Sequence, residues 1–407
     1  MTNLKRLATS AILGAATFAY AGTALAQTEL SFWSWRQEDV KAYNQIIAAF
    51  EEQNPDISVT FTAHEAKSYN TILTTALAGG AGPDIMHTRS YGSLEAIAAP
   101  GYLEPLDGQI DLSALSADEL LGTTLRADGH VYAVPFASQT ALVFYNKDLF
   151  EKHNVDVPAT WEEFKAAADA FKQNNVNPLA NGIADGWTAE VMAGALMPNF
   201  YGKEFFGEVT SGSADFEDPR FVGALEKIAE LKDYMPTGYE GVDYATMKQL
   251  FIAGQAAMFV GGSFEIPGFV ESGVNFDIMP APAAKAGDER MVATWLDGGY
   301  GVNASSENKE AALKFIQFTA TQPFAQMLSD KLANVPAVDG AVIADPMLAK
   351  VSAFHAEASP YIMLVGFRFN TPTGSTLLQN GLQELLTGKK TAAEVAKDVS
   401  DGIKSAK

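Results

Sequence analysis

The apolar positions of this chain switch between two periods, and the switches mark out alternating strands and helices. Residues 30–34 form a short apolar run of the kind that fills a buried strand. Over 36–53, Val40, Tyr43, Ile46, Ile47 and Phe50 recur at helical spacing on one face, and Asn54-Pro55-Asp56 ends the helix. Ile57, Val59 and Phe61 then alternate with polar residues, which predicts a second strand. A second helix carries Tyr69, Ile72, Leu73 and Leu77 and stops at Gly79-Gly80, and residues 84–87 read as a third strand. Strands alternating with amphipathic helices predict an α/β fold with a mainly parallel sheet.

The rhythm continues through 130–136 and 141–145, two strand-like runs rich in Val, Tyr and Phe. Thr160-Trp161-Glu162-Glu163 is a capping box, in which the Thr hydroxyl and the Glu carboxylate satisfy free amides at a helix start. Residues 257–261 predict another strand, and 309–319 a helix that is broken near Pro323 and resumes to about 331. No internal repeat, low-complexity tract or long linker intervenes.

The N-terminus departs from this rhythm. Lys5 and Arg6 precede an uncharged, largely apolar run from 7 to 25 that ends in Ala24-Leu25-Ala26, the layout of a cleavable export signal. No other stretch approaches the ~18 apolar residues of a membrane span. The remaining chain, about 380 residues, exceeds what one hydrophobic core serves, so two domains are expected. Their lack of a linker predicts a chain that crosses between them more than once. Cysteine is absent, which excludes disulfides, thiolate metal sites and a lipid anchor on an N-terminal thiol. A freely diffusing periplasmic protein, a monomer without lipid anchor, is therefore expected.

Without Lys5 and Arg6 the chain holds 26 basic against 49 acidic side chains, a balance that disfavours nucleic acid as a partner. Enzyme signatures are missing. The five histidines, at 64, 87, 130, 153 and 355, include no pair at i, i+4 spacing for zinc, and no Gly-x-Ser-x-Gly elbow occurs. Gly388-Lys389-Lys390-Thr391 fails the phosphate-loop spacing, because the upstream glycine is Gly381 and Lys390 displaces the hydroxyl residue. No metal and no cofactor is implied. What stands out is a set of aromatic and polar residues where strands should end: Trp33, Trp35 and Arg36; Trp187 beside 181–186; and Trp295 beside Asp297-Gly298-Gly299-Tyr300. Ligands of α/β domains bind beyond strand carboxyl ends. Flat sugar faces lie on aromatic planes while their hydroxyls need polar partners, so these residues suit a carbohydrate.

Seven segments in order resemble the bacterial family 1 extracellular solute-binding proteins, the receptors of ABC importers for sugars. They are Ser31-Phe32-Trp33; Gly79-Gly80-Ala81-Gly82-Pro83-Asp84-Ile85; Asp128-Gly129-His130-Val131-Tyr132-Ala133-Val134-Pro135; Phe144-Tyr145-Asn146-Lys147-Asp148-Leu149-Phe150; Pro158-Ala159-Thr160-Trp161-Glu162-Glu163-Phe164; Phe251-Ile252-Ala253-Gly254-Gln255-Ala256-Ala257-Met258; and Asn308-Lys309-Glu310-Ala311-Ala312. The resemblance implies a two-lobed class II periplasmic binding fold that closes by hinge bending on ligand in the interlobe cleft. Its first lobe would comprise 27–136 and 292–333 and its second 137–291 and 338–407, with crossings near Pro135, Met291 and Val335-Pro336.

By motif position the resemblance implies ligand contacts at Trp35, Arg36, Arg89, Tyr91, Gln139, Trp187, Phe264, Trp295, Asp297 and Arg368. Gln139 stands where some relatives are acidic and Phe264 where many have Trp, so the sugar is not carried over. The function implied is capture of a mono- or oligosaccharide for an inner-membrane ABC permease, without catalysis. The alternatives are the same role for a polyol, glycerol derivative or polyamine, and a secreted carbohydrate-cleaving enzyme.

Overall fold

Alternation along β1 (Thr28–Ser34) turns Leu30 and Phe32 to one face, where both are buried. Phe32 meets Tyr43 of the helix Val40–Gln53 and Phe315 of the helix Lys309–Thr319, with ring centroids 5.6 and 5.7 Å away. The computed structural model describes residues 27–406, and the segment 1–26, expected from the sequence to be an export signal, lies outside the described residues. Among the described residues no helix is long and apolar enough to cross a membrane.

β1 pairs in parallel with β2 (Ile57–Ala63) and β3 (Ile85–Thr88). β10 (Gly299–Val302), from far along the chain, lies antiparallel between β3 and β4 (Val134–Pro135), completing a five-stranded sheet. The second sheet is built on the long β5 (Ala137–Asn146). The N-terminal half of β5 pairs with β9 (Val292–Leu296) and β11 (Val335–Pro336), its C-terminal half with β7 (Ala256–Gly262) and β8 (Phe276–Met279). β6 (Asn177–Leu179) and β12 (Ala358–Pro360) extend the edges. Helices cover both faces of both sheets, so the chain forms two α/β lobes.

Two expectations are corrected. All four partners of β5 run antiparallel to it, so only the first sheet holds the parallel core that the strand–helix alternation predicts. The second crossing falls between Leu296 and Gly299, not near Met291, because β9 hydrogen-bonds into the second sheet. An apolar strand satisfies either sheet equally; the turn is decided at Gly298, where a Cβ would stand 2.2 Å from the Thr88 carbonyl and 2.9 Å from Trp35. Local signals fare better. Thr160 and Glu163 form the capping box, and Pro323 sits in the first turn of a separate helix, Gln322–Leu332, capped by Thr321.

Candidate functional site

The ends of β1 and β3 direct side chains toward the gap between the sheets. β1 runs into Trp35 and Arg36, β3 into Arg89, Ser90 and Tyr91. Trp35 stacks on His87 with centroids 4.1 Å apart, and His87 stacks in turn on Tyr300 at 4.9 Å. Burial, followed by the charges of Arg36 and Arg89, holds His87 well below the usual histidine range, so this layer is uncharged at pH 7. Trp35 also carries the Arg89 guanidinium, whose Cζ lies 4.2 Å from the ring centroid.

Arg36 is engaged within the protein. It is 2% exposed, ion-paired with Asp39, and its Nη1 donates to Asp297 at 3.0 Å. It thereby ties the end of β1 to the turn where the chain changes sheets. Tyr91 has a backbone φ of +57°, rare for a side chain of this size, and its hydroxyl accepts from the Leu296 amide at 3.2 Å. Ser90 donates to the Leu296 carbonyl at 2.7 Å. The first lobe thus grips the end of β9 through two consecutive residues, one of them in a conformation costing on the order of 1–3 kcal/mol.

On the second lobe, Trp187 opens the helix Gly186–Leu196 and is 37% exposed. Tyr244 lies against it at 4.8 Å and Phe264 at 6.5 Å, so three rings form a shelf. Beneath the shelf Glu265 is buried, with Lys248 Nζ 3.4 Å from Oε2. Burial pushes Glu265 up to about 7, against the pull of Lys248 and with a further push from Glu38 across the gap. Trp295 is buried on β9 with Tyr361 5.1 Å away. Gln139 is paired with Trp295 in the sheet and fully buried; it donates to Asn334 at 2.7 Å and accepts from Ser263 at 2.6 Å.

The lobes also touch directly. A Cβ on Gly92, in the first lobe, would come within 1.9 Å of the Arg368 carbonyl, so the loop holding Arg368 and Phe369 rests against it. Arg126 covers the Phe369 ring at 3.3 Å, and Lys67 lies 3.9 Å from Asp185 of the second lobe.

Of the ten residues singled out in the sequence, Trp35, Arg36, Arg89, Asp297 and Arg368 come together in one group; Asp297 and Arg368 both act electrostatically on Arg89. Trp187 and Phe264 form a second group on the opposite lobe, Tyr91 and Trp295 support the crossing strand, and Gln139 is turned into the protein. Sequence reasoning missed Tyr244 and Glu265. Glu265 adjoins Phe264, and Tyr244 follows Asp243, which caps the helix Tyr244–Ile252, but nothing local marks either as facing the gap. Stacking planes and guanidinium donors suit recognition of a small polar molecule with flat apolar faces. Among the described residues no cluster of three His, Asp or Glu is placed to hold a metal ion.

The profile of the family described as "Bacterial extracellular solute-binding protein" matches residues 33–323. A galactooligosaccharide-binding protein of Bacillus subtilis is 26% identical over 405 residues, covering 93% of this chain and 90% of its own length. A mannitol-binding protein of Pseudomonas aeruginosa is 27% identical over 345 residues, covering 80% and 77%. Among solved structures, a chitin oligosaccharide binding protein has the same fold, with a TM-score of 0.80 at 22% identity over 93% of this chain and 99% of that one.

Proposed function

Since the chain belongs to the bacterial extracellular solute-binding proteins, we propose that it captures a carbohydrate between its lobes and delivers it to an ABC permease. The observation that carries this reading is the shelf of Trp187, Tyr244 and Phe264 on one lobe opposite Trp35 and Arg89 on the other. Rings on both sides stack on the faces of a sugar, while the guanidinium answers its hydroxyls. The relative named for a galactooligosaccharide supports a saccharide, and the one named for mannitol supports a polyol as the second reading.

Capture proceeds without bond making. Ligand bridging the lobes favours the closed form, which the permease distinguishes from the open one. The moving units are residues 27–136 with 299–333, and 137–296 with 335–407. The segment 1–26 directs export to the periplasm, and the absence of cysteine supports a diffusing protein without a lipid anchor. Differential scanning fluorimetry over mono- and oligosaccharides and mannitol tests the reading. A true ligand at 100 times its Kd stabilises by about 2.7 kcal/mol, and no shift with any member of the panel refutes it.

A further inference from the structure

Five strand ends meet along the edge of the first sheet that faces the gap. Their order is that of the sheet: Ala63 of β2 stands at one end, Ser34 of β1 and Thr88 of β3 follow, and Gly299 of β10 and Pro135 of β4 stand at the other. The floor open to a solute is the stretch from β2 to β10. Three strand spacings span it, about 14 Å, and both of its ends are occupied. At β10 the chain itself closes the gap. Gly298 lies in the crossing turn against Trp35, its carbonyl accepts from the Phe136 amide at 2.8 Å, and the Asp297 amide donates to Ala137 at 3.0 Å, so two crossings run side by side.

At the β2 end Lys67 bridges to Asp185 of the second lobe, its Nζ 3.9 Å from Oδ1. The pair joins the immediate neighbours of both stacking walls. Ala66 accepts at 3.4 Å from Arg89, which rests on Trp35, while Asp185 accepts from the Tyr244 amide at 3.0 Å and precedes the helix that carries Trp187. A third side is closed on the face of the sheet where Leu94 and Ile97 pack with Trp35. The helix holding them, Gly92–Ala98, presents Gly92 and, one turn on, Glu95. Gly92 meets the backbone of Arg368 and Phe369, and Glu95 accepts from Arg126 at 2.8 and 3.1 Å, holding its guanidinium over the Phe369 ring. On the fourth side, where Tyr43 and Ile46 pack, Glu38 leans toward Arg36 at 3.7 Å. Within these borders the first lobe offers Trp35 as a stacking plane, since Trp33 lies against His64 with centroids 4.7 Å apart.

We infer that the solute is short, a polyol, a monosaccharide or a disaccharide, and that longer saccharides are excluded by the Lys67–Asp185 bridge, the crossing turn and the seat of Phe369 on Gly92. The inference rests on the solute-capture reading and adds the length of the solute. The crossing turn is continuous chain and cannot be displaced. A third ring therefore has to break the bridge, part Gly92 from the second-lobe backbone, or draw Glu38 off Arg36. Each of these removes contacts that the protein makes with itself, and none adds a stacking plane. Selection for size then comes from the borders of the floor, while the floor itself supplies the affinity.

Calorimetric titration with homologous series tests this: glucose, maltose and maltotriose; galactose, galactobiose and galactotriose; N-acetylglucosamine, chitobiose and chitotriose; and mannitol as the polyol. The expected result is that the tightest ligand is mannitol, a monosaccharide or a disaccharide, with every trisaccharide weaker than it by about 10-fold or more. Lys67→Ala and Phe369→Ala each relax one border, and at least one of them should bring the trisaccharides closer to the tightest ligand by about 3-fold or more. The ratio is read within one variant, so a general loss of folded protein cancels. A trisaccharide that binds as tightly as every shorter member, or more tightly, overturns the inference and leaves the capture of a carbohydrate standing. So does a ratio that both variants leave unchanged, since the borders would then not be setting it. Binding by no member of any series overturns the capture reading and the inference together.

Discussion

Glu265→Gln should make the stability of this protein less dependent on pH, in a window and with a sign that follow from burial. The carboxyl is 1% exposed beneath the aromatic shelf, and its nearest cation, Lys248, stands 3.4 Å from Oε2, where no hydrogen bond forms. Burial raises its pKa from an ordinary 4.5 to about 7. Between those values the folded protein holds a proton that the unfolded chain has released, so stability falls as pH rises, by up to about 1.4 kcal/mol per unit. The contribution is fully present below pH 4.5, and roughly 3 kcal/mol is lost once pH passes 7. Glutamine mimics the protonated acid, so the variant keeps what wild type loses. Urea unfolding at half-unit steps from pH 4.5 to 8.5 measures the difference, and every other titrating group cancels in the comparison. The variant's advantage should grow by roughly 3 kcal/mol across the window. Stability curves that run parallel from pH 4.5 to 8.5 would refute the reasoning, since they would mean that Glu265 ionises normally beneath the shelf.

Two further substitutions probe the fold. Gly92→Ala sets a methyl 1.9 Å from the Arg368 carbonyl, so the second-lobe loop must withdraw; unfolding in urea should show a loss of about 1 to 3 kcal/mol, and an unchanged midpoint would mean the loop does not rest there. Asp84 accepts from the Ser31 amide at 2.9 Å, the Ser31 hydroxyl at 2.8 Å and the Ser306 hydroxyl at 2.6 Å. Against the upward push of burial, the bonds from Ser306 and Ser31 hold its pKa below the ordinary carboxylate range. Asp84→Ala should therefore cost about 3 kcal/mol at pH 7, less as pH falls through the folded value; a cost that is the same at pH 3 and pH 7 would contradict the charge-assisted assignment.

What the sequence made legible was local. The helix over Tyr43, Ile46 and Phe50, the Thr160 capping box and the break before Pro323 depend on neighbours a few residues away, and all are present. Long-range choices were not legible. The run Val292–Leu296 suits a buried strand in either sheet, and only its register with Ser138, Gln139 and Thr140 places it in the second. Gln139 is polar at a strand centre, which suggests exposure to a ligand; its partners Asn334 and Ser263 lie 195 and 124 residues away and absorb both ends of its amide. Trp187 stood out beside the stretch 181–186, whereas Tyr244 of the same shelf and Glu265 beneath it look like ordinary members of two short helical segments. Burial of a carboxylate is a property of packing between elements, and no spacing encodes it.

The strand β10 occupies the middle of the first sheet, between β3 and β4, yet Gly299 pairs with Thr88 across 211 residues. A chain made from its N-terminus delivers β1, β2 and β3 long before β10 emerges. Until then β3 presents a bare edge, and the sheet lacks the element that links its two halves. Contacts this distant in sequence form slowly, so the first lobe stays incomplete while the second is still arriving. The same topology that joins the lobes therefore delays completion of the first lobe until nearly three quarters of the chain has been made.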